Sequence, residues 1–274
     1  MVTATLVWMT GLALAGYIAV GVYLVAMESR LVFHPERVLA ANPLQRGMAF
    51  EDVHLQAADG ERLHGWFIPH PAARLTVLFF HGNAGNLTSC LDTFAILHRI
   101  GVNVFAIDYR GYGQSSGSPS EAGTYLDAEA AWQHLIAARG LDPARILIFG
   151  RSLGGGVATW LAAKVRAAGV VLESTFSSMP EVAQRLYPYV PVRWLARTRY
   201  DNMGRINDIN VPILFIHSSE DELVPLTHGE RLYEHFRGTK ALHVIKGRHA
   251  DGYMMSGELY VSALLRFFAE RSSS

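Results

Sequence analysis

The chain has 274 residues, half of them apolar and 18% charged, and its 24 basic and 24 acidic side chains cancel. That length suits one large domain, and 25 Gly with 11 Pro is an ordinary share, which excludes a disordered or low-complexity polymer. Zero net charge argues against nucleic acid as the main partner, and a single cysteine, Cys90, excludes intrachain disulfides and multi-cysteine metal sites.

From Val2 to Met27 there is no Asp, Glu, Lys, Arg or His. A helix over residues 4–27, at about 1.5 Å per residue, reaches roughly 36 Å, enough to cross a hydrocarbon core of about 30 Å. The run lacks a basic leader and is about twice the apolar length of a secretory signal, so an anchor over 1–30 is the favoured reading over a cleaved signal. Trp8 and Tyr23 suit the two interfaces, and Gly11, Ala15 and Ala19 form a small-residue stripe. No Lys or Arg precedes the segment, whereas Arg30 and Arg37 follow it, which puts the body of the protein in the cytoplasm. Residues 31–49, opening Leu31-Val32-Phe33-His34-Pro35, read as an apolar connector hugging the interface, with Pro35 and Pro43 ending regular structure.

The remainder, 50–274, alternates short Val/Ile/Phe-rich runs with segments of helical period, the pattern of a mainly parallel sheet covered by helices. Strands are predicted at Phe50–Gln56 and Arg62–Ile68, joined as an antiparallel hairpin through Asp59-Gly60, then at Thr76–Phe80, Asn103–Ile107, Arg145–Phe149, Gly169–Leu172, Pro212–His217 and Ala241–Ile245. Helices are predicted at Leu87–Ile100, Ser120–Arg139, Leu153–Ala167, Leu226–Phe236 and Glu258–Glu270. The stretch 174–211 is too long for a plain crossover and reads as a small cap, whose Tyr187, Tyr189 and Trp194 are candidate substrate contacts.

The strand Arg145–Phe149 runs into Gly150-Arg151-Ser152-Leu153-Gly154 and then a helix, which is a nucleophile elbow. A serine hydroxyl needs an imidazole to accept its proton and a carboxylate to orient that imidazole. The two late strands end at Ser218-Ser219-Glu220-Asp221-Glu222 and Lys246-Gly247-Arg248-His249, supplying Asp221, with Glu220 and Glu222 as rivals, and His249. An oxyanion needs fixed backbone donors, and the turn His81-Gly82-Asn83-Ala84-Gly85-Asn86 offers the Asn83 amide beside that of Leu153. His81 reads as a loop-fixing donor, and Asp108, Tyr109, Arg110 and Gly111 as braces of the same loop, with Arg110 a lesser candidate for a lipid phosphate. Glu173 reads as a loop-ordering carboxylate and Cys90 as a packed side chain.

With LVFHPER, DGERLHGWFIP, HGNAGN, DYRGYGQSSGSPSE, GRSLGGG and ESTFSS also present, the chain resembles the Bem46-like group of α/β-hydrolases, which carry an N-terminal membrane segment. The resemblance implies an eight-stranded sheet, hydrolysis of carboxylic esters or thioesters without a cofactor, and roles for Ser152, Asp221 and His249 as nucleophile, acid and base. Members commonly have His-Gly after the seventh strand, where this chain has His217-Ser218. A membrane-anchored serine hydrolase acting on lipophilic or acylated substrates is therefore expected. A serine peptidase would need a larger cap, and a catalytically idle membrane scaffold would keep the fold without an activated serine. Oligomeric state is not legible.

Overall fold

The computed structural model describes residues 2–272. Eight strands form one sheet: β1 (Glu51–Gln56), β2 (Arg62–Ile68), β3 (Thr76–Phe80), β4 (Asn103–Asp108), β5 (Ile146–Arg151), β6 (Gly169–Glu173), β7 (Ile213–Ser218) and β8 (Lys240–Ile245). Their spatial order is β1-β2-β4-β3-β5-β6-β7-β8, with β1 and β2 antiparallel to their neighbours and the rest parallel. The central strands are apolar on both faces because helices cover both, and the two core layers meet across Leu78 and Ile148 on one face and Phe79 and Phe149 on the other. The chain order reverses between β3 and its two neighbours, so the loops after β3 and β5 face each other across a crevice.

Most expected elements fall within a residue or two of their predicted ends. The exception is the helix after β5, which stops at Ala162 instead of Ala167. Lys164 and Val165 turn back on the Leu161 carbonyl, so that the Ala168 amide can reach Ile146 and start β6. Between β6 and β7 the chain forms three short α-helices, Met179–Leu186, Val192–Leu195 and Asn202–Arg205, the last running into a 3-10 turn over Ile206–Asp208.

The helix Val2–Ala26 is long and apolar enough to cross a membrane over Thr5–Ala26. The residues after it fold onto the domain. Glu28–Val32 forms a further helical turn, Phe33 is buried in the domain core, and His34-Pro35 pairs in parallel with Ala84-Gly85. Pro43 opens a short helical turn over Pro43–Arg46 instead of simply ending structure. The His34 amide donates to the Asn83 carbonyl and the Val32 carbonyl accepts from the Asn83 side chain, which fixes this segment on the loop after β3.

Candidate active site

Ser152 sits between β5 and its helix with φ 55° and ψ −119°, a backbone conformation in which a β-carbon is crowded. The turn is possible because both flanking glycines are in contact with backbone. A Cβ on Gly154 would stand 2.1 Å from the Phe80 carbonyl oxygen, and one on Gly150 would stand 2.3 Å from that of Gly154. The elbow is tied down by the Ser152 amide donating to the Glu173 carbonyl (2.8 Å) and by the Thr175 hydroxyl donating to the Ser152 carbonyl (3.0 Å).

The structure brings the three residues from distant loops into one chain of hydrogen bonds. Ser152 Oγ lies 2.8 Å from His249 Nε2, and His249 Nδ1 lies 2.7 Å from Asp221 Oδ2. The other Asp221 oxygen accepts from the Leu223 and Val224 amides at 3.0 and 2.7 Å, so the carboxylate is fixed at both ends. Its rivals serve the same loop without touching the imidazole: Glu220 accepts from the Gly247 amide (3.0 Å) and Glu222 from the His249 amide (3.1 Å). Backbone partners hold the Glu222 carboxyl below the usual carboxylate range. Behind Asp221, burial pushes the His217 imidazole below its ordinary value. It is therefore neutral and donates Nε2–H to the Val224 carbonyl at 2.8 Å. Ser218, the departure from the usual His-Gly, donates its hydroxyl to the Gly247 carbonyl and accepts from the Glu220 amide, joining the loop of Asp221 to that of His249.

Asn83 and Leu153 both line the cavity beside Ser152, and among the described residues neither backbone amide has a protein acceptor. The Asn83 peptide is held from behind, its carbonyl accepting from the His34 amide (2.9 Å) and the Tyr112 hydroxyl (2.7 Å) while its side chain donates to the Val32 carbonyl (3.1 Å). Tyr109 donates to the His81 carbonyl (3.0 Å) and Asp108 accepts from the Leu87 amide (3.0 Å), as braces of this loop should. Burial keeps His81 neutral, with Nδ1 2.7 Å from the Gly82 carbonyl. Glu173 is buried against Arg151 (2.8 Å) and the Tyr260 hydroxyl (2.7 Å), an ordering role.

The Arg110 guanidinium is shared between Asp127 (2.8 Å) and Asp59 (2.6 Å), which occupies it and leaves it a bracing role instead of one toward a phosphate. Tyr187 lines the cavity beside Ser152, but Tyr189 and Trp194 do not; they stand 89% and 87% exposed on the outer side of the segment. The cavity, of about 140 Å³, is walled instead by Phe176, Met179 and Val182 and by Leu24, Val25 and Val32. The last three come from the end of the N-terminal helix and the turn after it, where hydrophobicity in the sequence already has an explanation in lipid and carries no sign of a second use.

A Ser-His-Asp hydrogen-bond chain at the loop ends of this sheet order, with a nucleophile elbow, defines an α/β-hydrolase. The family model described as alpha/beta hydrolase fold matches residues 76–203. Over 280 residues the chain is 34% identical to the alpha/beta hydrolase domain-containing protein WAV2 of Arabidopsis thaliana, covering 92% of this chain and 91% of that one. It is 36% identical over 263 residues to the uncharacterized protein Rv2307c of Mycobacterium tuberculosis, covering 94% of each. The chain belongs to the α/β-hydrolase family. Its fold is shared with an esterase of Pyrococcus furiosus, Pf2001, at a TM-score of 0.75 and 23% identity over 87% of this chain and 98% of that one.

Proposed function

We propose that the protein is a serine hydrolase, tethered to a membrane by its first helix, that cleaves lipophilic carboxylic esters or thioesters. Ser152 Oγ attacks the acyl carbonyl while its proton passes to His249 Nε2. The resulting oxyanion is held by the Asn83 and Leu153 amides, which are already in place before the charge develops. Collapse of the intermediate expels the alcohol or thiol with the proton from His249 and leaves an ester on Ser152. Water, giving a proton to the same imidazole, then releases the acid and restores the serine. Asp221 keeps the proton on Nδ1 of His249, so that Nε2 faces the serine as an acceptor, and stabilises the imidazolium that forms.

The observation that carries this reading is the continuous pair of bonds, Ser152 to His249 at 2.8 Å and His249 to Asp221 at 2.7 Å, opening on an apolar cavity. A lipophilic acyl group suits walls made of Leu, Val, Met and Phe side chains. Arg30 and Arg37 after the helix favour the cytoplasmic side for the domain. The test is labelling with a fluorophosphonate probe together with hydrolysis of p-nitrophenyl acetate. The native chain is labelled and active, and Ser152→Ala is neither. A native chain that is never labelled is an idle scaffold, and a Ser152→Ala chain that retains the native rate removes the mechanism.

A further inference from the structure

The helix Val2–Ala26 is more than a tether, because the segment between β6 and β7 climbs along it. The Tyr17 hydroxyl donates to the Tyr189 carbonyl (3.0 Å), Leu24 packs with Val190 and Val192, and the Glu28 carboxylate accepts the amides of Arg197 (2.9 Å) and Thr198 (2.7 Å). Tyr17 lies nine residues before Ala26, about 13 Å along the helix axis. The stretch long and apolar enough to cross a membrane, Thr5–Ala26, contains Tyr17 and the whole of this contact. A bilayer crossed by that stretch extends past Tyr17, to the level where Tyr189 and Val190 meet the helix. The exposed Tyr189, Trp194 and Leu186 then meet lipid, which accounts for aromatic side chains left 89% and 87% exposed.

Between the helix and this segment lies an apolar groove of about 490 Å³, lined by Ile18, Gly21 and Val22 on one side and Val190 and Pro191 on the other. Val25 and Leu195 line both this groove and the cavity at Ser152, so the two spaces adjoin at these two side chains. Arg197 stands at the end of the groove near Ala26, where a bilayer places its phosphates.

We infer that the acyl chain of a bilayer glycerophospholipid enters sideways from the membrane along the groove between residues 17–26 and 190–195, passes Val25 and Leu195, and presents its ester carbonyl to Ser152. This rests on the hydrolase reading above and gives it a substrate class and a route. The chain stays in apolar surroundings throughout, so no hydrocarbon has to be transferred through water at about 0.8 kcal/mol per CH₂.

Gly21 offers the test. A Cβ there meets only Leu195 Cδ1, at 3.6 Å, an ordinary contact, and Gly21 lines the groove, so a larger side chain at this position occupies it; at Gly16, which does not line the groove, a Cβ meets nothing within 4 Å. The full chain is reconstituted in phosphatidylcholine vesicles as the native form, Gly21→Phe and Gly16→Phe. Fatty-acid release from the vesicle lipid and hydrolysis of p-nitrophenyl acetate are both measured. The expected result is at least a tenfold loss of fatty-acid release in Gly21→Phe, with acetate hydrolysis within threefold of native, and both rates native in Gly16→Phe. Equal loss of both rates, no loss of either, or cleavage of a palmitoylated peptide with none of the lipid would overturn the inference. Absence of acetate hydrolysis in the native chain would instead remove the underlying hydrolase reading. Independently, Tyr189→Cys labelled with an environment-sensitive dye, Cys90 being buried, is expected to be quenched by a nitroxide carried on lipid chains more than by aqueous iodide. The reverse order would place that residue in water and overturn the route.

Discussion

The backbone at Ser152 makes a quantitative prediction through the pair Ser152→Ala and Ser152→Gly. Both variants lose the hydroxyl that bonds His249, so that loss, about 0.5–1.5 kcal/mol, cancels between them. At an ordinary position glycine is less stable than alanine by about 0.5–1 kcal/mol, because its unfolded state is freer. At φ 55° and ψ −119° an alanine keeps the strain of a β-carbon in a sparsely populated region, at about 2–3 kcal/mol in the upper part of the usual range, whereas glycine has none. Strain outweighs entropy, and Ser152→Gly should be more stable than Ser152→Ala by about 1–2.5 kcal/mol, at least roughly fivefold in the unfolding constant. Urea titration of the full chain in detergent micelles, followed by the fluorescence of the buried Trp66 and Trp132, measures the difference. If Ser152→Gly proves the less stable of the two by the ordinary 0.5–1 kcal/mol, the elbow is not strained and the account of its glycines fails.

Asp221→Asn should cut kcat by about 10³- to 10⁴-fold with little change in KM: Leu223 and Val224 hold the amide oxygen, its NH₂ then faces His249 Nδ1, and the imidazole is forced into the wrong tautomer. An intact circular dichroism spectrum with native kcat would refute this. Ser218→Gly removes the hydroxyl that joins the Asp221 and His249 loops, and is expected to lower kcat by about three- to tenfold, roughly 1 kcal/mol, the worth of one such bond, in steady-state assays of a short ester. Glu28→Gln weakens the acceptor of two amides at the edge of the cap; trypsin should then cut faster after Arg193, Arg197 or Arg199, while the rest of the domain stays resistant. Burial pushes the Cys90 thiol up to about 11, so iodoacetamide at pH 8 should leave the folded chain unmodified and react only after denaturation.

The sheet, most of its helices and the elbow were legible from the chain itself, because period-two and period-3.6 hydrophobicity and the strand-Gly-x-Ser-x-Gly-helix pattern are read within short windows of sequence. The loop positions of Asp221 and His249 were legible for the same reason: each follows directly on an apolar strand. Which of three adjacent acids touches the imidazole was decided by tertiary structure, since Glu220, Asp221 and Glu222 all bond the His249 loop and differ only in the direction each side chain takes. Tertiary structure likewise withdrew Arg110 into a pair of carboxylates 51 and 17 residues away, and turned Tyr189 and Trp194 outward. It also made Leu24, Val25 and Val32 a wall of the cavity. A residue's chemistry and local period are written in its neighbours along the chain, but which surfaces meet depends on crossovers that join distant segments. An apolar helix end reads the same whether it faces lipid alone or lipid and a catalytic cleft together.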